Sequence, residues 1–406
     1  MNEVILYSFL FSLAFFMCVG LLATLKRQKN AMDYLLASRD ISPALAGVSA
    51  AASTASGFGF TGVIGFGYSM GFAGSWFVIG IVIGGLVATL IIARRFRTLS
   101  QRYKAASYTE FLSAGLPAEH KKIRWALGAI ALISMILYAA AQLTAGSKAL
   151  HVLFGWNYNA GAILGTLIVI LYCFAGGIRA SIWTDFIQFL VMLAAMGVLL
   201  FIGLTEIGGL QALTDKLAII DPKLVKIWPD FKTFGALPFI LGWVALGVSF
   251  IGFPHVMSRL KTIRSPKDTK KATLWFYSSY SLFYIIAYLV ALTTRVLLPE
   301  NISFDPELAL PQMALEYMPA VLVGLILAGI FASTISTADS LVIACTATLS
   351  RDIFPRYRDS YFFLKLSTIF VAFGALVLAL FGSKSVFDLV LIAIAIMGST
   401  FAPIVI

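Results

Sequence analysis

Charge is scarce in this chain. Of its 406 residues only 12% are charged, about half the share of roughly 25% found in a soluble globular domain. A compact water-soluble protein is thereby excluded. Cysteine is scarcer: Cys18, Cys173 and Cys345 each fall inside an apolar stretch, with no metal-ligand spacing, so a disulfide scaffold and a thiolate metal site are both excluded. The three histidines, His120, His151 and His255, lie far apart and pair with no obvious nucleophile or metal ligand, which argues against an enzyme. The net charge of +11 is dispersed between long apolar runs, so no nucleic-acid partner is expected. What abounds is apolar. Hydrophobic residues make up 60%, with 33 Phe and 33 Gly, a composition suited to helices packed together in a lipid bilayer. The chain reads as an all-α integral membrane protein.

About eleven runs are long enough to cross roughly 30 Å of hydrocarbon. They lie near 4–25, 44–69, 72–93, 123–152, 158–175, 181–204, 235–257, 272–297, 319–349, 361–382 and 386–406. The first ends in Lys26 and Arg27 rather than at a cleavage site and reads as a retained span. Orientation follows from the 30 basic residues, of which four lie at 26–39, eight at 94–124, one at Arg179, six at 259–271 and four at 351–365. Short cytoplasmic loops collect such charge, which places the amino terminus outside the cell and the protein in the plasma (inner) membrane. Glu300, Asp305, Glu307 and Glu316 gather in an external segment expected to fold over the outer mouth, and 98–120 reads as an amphipathic element on the cytoplasmic surface. The end, Phe401-Ala-Pro-Ile-Val-Ile406, is still apolar, so the last span is expected to be cut short.

Two spans are interrupted near mid-depth. The span from 44 carries Ser49-Ala-Ala-Ala-Ser53-Thr54-Ala55-Ser56-Gly57-Phe58-Gly59, and the span 235–257 carries Gly247, Ser249, Gly252, Pro254 and His255. Broken helices in corresponding places of two halves mark a transporter binding site, because an unwound turn frees carbonyls for an ion. Small-residue packing is the plainer use of the first run. A third element, Ser333-Thr334-Ile335-Ser336-Thr337-Ala338-Asp339-Ser340, sets Ser333, Ser336, Thr337 and Ser340 at i, i+3, i+4 and i+7 on one helix face. Away from the helix ends, the spans contain two acidic residues, Asp185 and Asp339. An intramembrane carboxylate is a functional-site candidate by default.

At these residues the chain resembles the sodium/solute symporters, and most closely their sodium/proline branch. The resemblance rests on Ser49 to Ser53 with Ser56-Gly57, on Tyr138 with Gln142 to Gly146, on Gly176-Gly177 followed by Trp183-Thr184-Asp185 and Gln188, on Gly252-Phe-Pro-His255 with Arg259, and on Ser336-Thr337 with Asp352. It implies a leucine-transporter-like core of two inverted five-helix repeats behind one extra amino-terminal helix. The extra helix and its loop would occupy 1–43, the repeats 44–204 and 235–406, and an external loop 205–234. It also implies a sodium ion, the coupling ion, held by the backbone carbonyls of Ala52, Ala55 and Ser333 and the hydroxyls of Ser336 and Thr337. Such oxygens without a carboxylate suit a monovalent cation better than calcium or magnesium. Departures fall on the solute side: Thr54 stands where the bacterial proline symporters have Asp, Phe58 where they have Trp, and Phe250-Ile-Gly-Phe-Pro-His255 replaces Tyr-Phe-Gly-Gln-Pro-His. Leu246 replaces a Trp one turn earlier, with Trp243 a further three residues back.

The leading expectation is a secondary symporter, without covalent catalysis, importing a small organic solute such as an amino acid or carboxylate. The solute pocket is expected between Ser56, Gly57 and Phe58, Tyr138 and Gln142, and Trp243, Leu246 and Phe250. His255, near the end of its span, is expected to be structural. A second cation or proton station is expected where Asp185 approaches Asp339 and Ser340. The alternative is a receptor, the same helical module preceding a signalling kinase domain beyond residue 406.

Overall fold

In a bilayer an unpaired amide or carbonyl finds no water, and a helix pairs both within one segment. The apolar runs obey this rule. The computed structural model describes residues 3–25, 28–114, 121–229, 235–298, 306–383 and 385–405. Among these the only β pairing is one parallel bridge between Ile41 and Ile263. Eight described helices are long and apolar enough to span a membrane, and a bent pair, Ala236–Gly252 with Pro254–Lys261 at 54°, brings the number to nine.

The chain opens with α1 (Glu3–Thr24) and a short α2 (Ala31–Leu36). The first interrupted span is built in three pieces, α3 (Pro43–Thr54), α4 (Gly57–Phe60) and α5 (Gly62–Met70). Ser42 caps its start, accepting from the Leu45 amide at 3.4 Å, and Pro43 occupies the first turn, where a missing amide costs nothing. Next come α6 (Ser75–Arg102) and α7 (Tyr108–Leu112). Of the expected surface element at 98–120, residues 101–104 are exposed, but the structure corrects the expectation at 105–109, which are buried. Tyr108 is 2% exposed, and its hydroxyl donates to the Ile251 carbonyl at 2.5 Å. Ser107 and Thr109 flank it and donate to buried Asp352 at 2.7 and 2.5 Å. Fixed buried acceptors draw α7 inward. Pro117 and His120 lie outside the described residues.

Two long helices follow, α8 (Lys121–Phe154) and α9 (Tyr158–Ile207). Fifty residues of straight helix would measure about 75 Å, far beyond the hydrocarbon thickness. α9 instead breaks at Gly177, whose φ of +57° suits glycine and whose close neighbour, the Tyr34 carbonyl, leaves no room for a Cβ. Cys173 and Ser181, four residues to either side, both reach Asp339, so the chain folds back there. Arg179, just past the break, pairs with Asp33 at 2.7 Å.

The connection carries α10 (Leu210–Ile220). The second interrupted span is α11 (Ala236–Ser249), a tight turn at Phe250–Gly252, and α12 (Pro254–Lys261). Pro254 has no amide to continue α11. The rest is α13 (Thr269–Leu297), α14 (Ala309–Tyr317), α15 (Ala320–Thr348) with a wide turn at Leu349–Ile353, α16 (Tyr361–Phe381) and α17 (Val386–Val405). Of the acidic residues expected over the mouth, Glu300 and Asp305 lie outside the described residues, while Glu307 joins Lys148 of α8 at 2.6 Å and the Phe387 amide of α17 at 2.8 Å.

Small residues bring the interrupted spans against their neighbours. A Cβ at Gly84 of α6 would strike the Val244 carbonyl of α11, and one at Gly247 the Ile81 carbonyl of α6. Tyr277 and Tyr284 of α13 reach Thr89 of α6 at 3.1 Å and the Thr54 carbonyl of α3 at 3.0 Å. Against this group lie α9 and α15, through the buried polar contacts described next.

Candidate functional site

The end of α3 is short of donors. Its last helical bond runs from the Ala55 amide to Ala51 at 2.7 Å, after which Ala55 leaves helical geometry at ψ 49°. The carbonyls of Ala52, Ser53, Thr54 and Ala55 therefore have no partner inside the helix. Neighbouring helices claim two of them. Thr337 Oγ1 of α15 donates to Ser53 at 3.0 Å, and the Tyr284 hydroxyl donates to Thr54 at 3.0 Å. Among the described residues, the two left over are those of Ala52 and Ala55. Opposite them, α15 buries Ser333, Ser336, Thr337 and Ser340, as the stripe predicts. Thr337 Oγ1 also reaches the Ser333 carbonyl at 3.0 Å, while Ser336 Oγ donates to Asp185 Oδ1 at 2.7 Å. The structure places Ala52 and Ala55 at the end of α3 and Ser333, Ser336 and Thr337 on α15, and joins the two helices through Thr337 and the Ser53 carbonyl. Among the described residues no cluster of three His, Cys, Asp or Glu side chains forms a metal site, so the donors on offer are neutral oxygens with one nearby carboxylate.

Beside this crossing is a cavity of about 30 Å³, whose lining includes Phe58, Tyr138, Leu246, Phe250, Phe253 and His255. Four of the eight expected solute residues lie in that lining. Three more surround the first break: Ser56 caps α4 through the Phe58 amide at 3.2 Å and accepts from the Tyr138 hydroxyl at 3.3 Å, and the Gly57 amide donates to Gln142 Oε1 at 2.8 Å. Trp243 is the exception. Its ring stands against Phe77, at 4.9 Å between centroids, outside the cavity lining. Small Gly80 beneath it lets it settle there, its Cβ position already filled by Trp243.

The third cluster is charged and fully buried. Asp185 and Asp339 do approach, but through an arginine. The Arg259 Nη2 of α12 lies 3.1 Å from Asp185 Oδ2 and 3.9 Å from Asp339 Oδ1. It also donates to Ser181 Oγ at 2.6 Å and, closer still, to Ser340 Oγ. Ser49 donates to Asp185 at 2.5 Å and Ser53 meets Ser340 at 2.8 Å. One guanidinium so joins α9, α12 and α15. The cluster is nevertheless incomplete among the described residues, since Asp339 Oδ2 and the Arg259 Nε and Nη1 have no hydrogen-bond partner. Counted fully ionised, two carboxylates and one guanidinium leave one negative charge. Sequence reasoning placed the two acids and Ser340 here but missed Arg259, Ser181 and the role of Ser49 and Ser53. Arg259 carried a signal of its own, as a cation five residues after a half-helix begins.

The profile of the sodium:solute symporter family matches residues 34–406. The chain is 27% identical over 390 residues to the high-affinity proline transporter PutP of Bacillus subtilis, covering 94% of this chain and 82% of that protein. It is 28% identical over 406 residues to a sodium/proline symporter of Staphylococcus aureus, covering 96% and 78%. Among solved structures, a substrate-bound, outward-open Na+-coupled sialic acid symporter superposes with a TM-score of 0.78 at 22% identity, covering 93% of this chain and 82% of that one. MhsT in complex with L-phenylalanine gives 0.65 at 16%, covering 89% and 87%. These relatives are transporters and not enzymes, and the receptor alternative finds no support among them.

Proposed function

The chain belongs to the sodium:solute symporter family, and from that premise we propose that it imports a small organic solute, an amino acid such as proline or a small carboxylate, driven by sodium entry across the plasma membrane. The observation that carries this reading is the end of α3, where the carbonyls of Ala52 and Ala55 have no partner inside the helix and Thr337 of α15 donates to the neighbouring Ser53 carbonyl at 3.0 Å. With the Ser333 carbonyl and the hydroxyls of Ser336 and Thr337, the Ala52 and Ala55 carbonyls offer a monovalent cation five neutral oxygens.

In this reading the eleven apolar runs are eleven spans, the amino terminus is outside, and two inverted five-helix repeats rock to expose the site alternately. Sodium bound at the break fixes the end of α3 beside Ser56, Gly57 and Phe58, and so raises affinity for a solute held between these residues, Tyr138, Gln142, Leu246 and Phe250. Linkage makes the coupling reciprocal. Asp185, Asp339 and Ser340 form a second station on the release path, where the free Asp339 Oδ2 accepts a cation or a proton.

Sodium-dependent uptake into proteoliposomes holding the complete protein tests the reading, with proline, other small amino acids and short carboxylates as solutes. Uptake that is accelerated by a sodium gradient and abolished by its collapse is the expected result. Equal uptake in sodium and in potassium would overturn it.

A further inference from the structure

The cations at the basic end of the bundle are not all engaged. Arg97 holds the Ile263 carbonyl at 2.7 Å, and Arg264 pairs with Asp40 at 2.8 Å. Arg94, Lys267 and Lys270 have no ion-pair partner among the described residues, yet all three line one cavity of about 580 Å³ between α6 and the start of α13. Leu90, Ala93, Thr269 and Thr273 complete the lining, which contains no carboxylate. Asp268, next to Lys267, is outside it. Thr273 adds an independent observation: it is fully buried, and its Oγ1 has no hydrogen-bond partner among the described residues. The Thr269 hydroxyl, by contrast, donates to the Pro266 carbonyl at 2.8 Å.

Three positive charges around one opening repel each other, and an anion among them relieves that repulsion while accepting charge-assisted hydrogen bonds. The start of α13 adds to the pull, since Asp268 at its amino terminus makes no side-chain cap and a helix amino terminus favours negative charge. The depth of the cavity selects the kind of anion. Arg94 lies about 29 Å along α6 from Ser75, close to one hydrocarbon thickness, and so at the level of bilayer phosphates. Toward the membrane interior the Leu90 face of α6 continues through Val87 and Ile83, which are 52% and 54% exposed. A dissolved phosphate has no use for that apolar strip, whereas an acyl chain does.

We propose that this cavity binds one anionic phospholipid, its phosphate held by Arg94, Lys267 and Lys270 with the Thr273 hydroxyl, and one chain laid along Leu90, Val87 and Ile83. The site requires a membrane but not the transport reading. A phosphate bonded to α6 and α13 at once ties the two helices together about one turn from the hydrogen bond between Thr89 and Tyr277. Bound lipid therefore raises the thermal stability of the bundle.

The test uses the complete protein in a neutral detergent, titrated with phosphatidylglycerol, phosphatidylcholine, glycerol phosphate or inorganic phosphate, and read by thermal unfolding and native mass spectrometry. Phosphatidylglycerol should raise the unfolding midpoint saturably and remain as a one-to-one adduct, half-saturating at least about tenfold below phosphatidylcholine. The two soluble phosphates should do neither. Arg94→Gln, Lys267→Gln and Lys270→Gln combined should raise the half-saturating phosphatidylglycerol concentration by about tenfold or more. Arg102→Gln, Arg356→Gln and Arg358→Gln combined remove the same charge from exposed positions outside the cavity and should change it by less than about twofold. Lys270→Gln alone, at an exposed position, should weaken binding by about threefold and guards against a folding defect in the combined variant. Equal losses in the two combined variants would reduce the site to diffuse surface charge and overturn it. So would a parent with no preference for phosphatidylglycerol over phosphatidylcholine. Displacement of the lipid by inorganic phosphate would overturn it in favour of a soluble anion.

Discussion

Two buried acidic residues, thirteen positions apart on one helix and its wide terminal turn, meet opposite fates. Asp352 is saturated: Ser107 and Thr109 donate to one oxygen and Arg124 to the other at 2.8 Å. Asp339 shares Ser181, Ser340 and the edge of Arg259, yet one of its oxygens has no donor among the described residues. The ingredients are nearly the same, hydroxyls and a guanidinium. A saturated carboxylate fixes the geometry of the elements around it, here α7, α8 and the end of α15, whereas an unsaturated one keeps a place for something that comes and goes. The contrast separates a clamped carboxylate from an unsaturated one, which the proposed second station would use, inside a single helix.

Removing the cation that two acids share is the most severe way to break that contrast. Arg259→Leu leaves Asp185 and Asp339 buried without a cationic partner and should lower thermal stability by about 3–5 kcal/mol, read as loss of monodisperse protein on heating in detergent. Adding Asp339→Asn should restore part of it. A single variant as stable as the parent would show that the arginine neutralises nothing.

The clamp should fail differently. Asp352→Ala strands Ser107, Thr109 and Arg124 and should cost about 1–3 kcal/mol of stability, while the sodium concentration that half-saturates uptake in the surviving protein stays unchanged. A shift in that concentration would erase the distinction between the two acids.

At the crossing of α3 and α15 the effect moves from stability to affinity. Replacing Ser336 and Thr337 together by Ala removes two ligands and should raise half-saturating sodium by about tenfold, or roughly 1.4 kcal/mol, with insertion intact. Unchanged sodium dependence would remove the site from this crossing. The finest measure is a double-mutant cycle on Asp185→Asn and Asp339→Asn, scored by sodium half-saturation and its pH dependence. A shared site predicts a coupling of about 0.5–1 kcal/mol; strict additivity would make them independent.

How much of this was legible beforehand follows from what a sequence period encodes. The stripe Ser333, Ser336, Thr337 and Ser340 was readable because helical spacing places those side chains on one face by geometry alone. The interruptions were readable because Gly, Ser and Pro announce freed backbone. The arginine between the acids was not, since Arg259 lies 74 positions from Asp185 and 80 from Asp339, and the period of each helix says nothing about its rotation against another. Trp243 was misplaced for the same reason: its spacing from Leu246 is right for one face, but the glycine that receives it is on α6. Within the segment 98–114 the stretch 105–109 misled, because the neighbouring charges suggest a wet surface, while the acceptors that pull α7 inward, Ile251 and Asp352, come from distant parts of the chain.

The glycine contact between α6 and α11 has a mechanical reading. Backbones touching at Gly84 and Gly247, with no side chain between them to yield, make a stiff joint. A tilt imposed on α11 at the cavity is then carried to α6 with little loss, and by the Tyr277 hydroxyl to α13. The pair would act as one lever whose short arm ends at the cavity and whose long arm reaches Arg97, where the guanidinium grips the Ile263 carbonyl beyond α12 at 2.7 Å. Force applied to a few atoms in mid-membrane would therefore be delivered, as displacement, at the far end of the bundle.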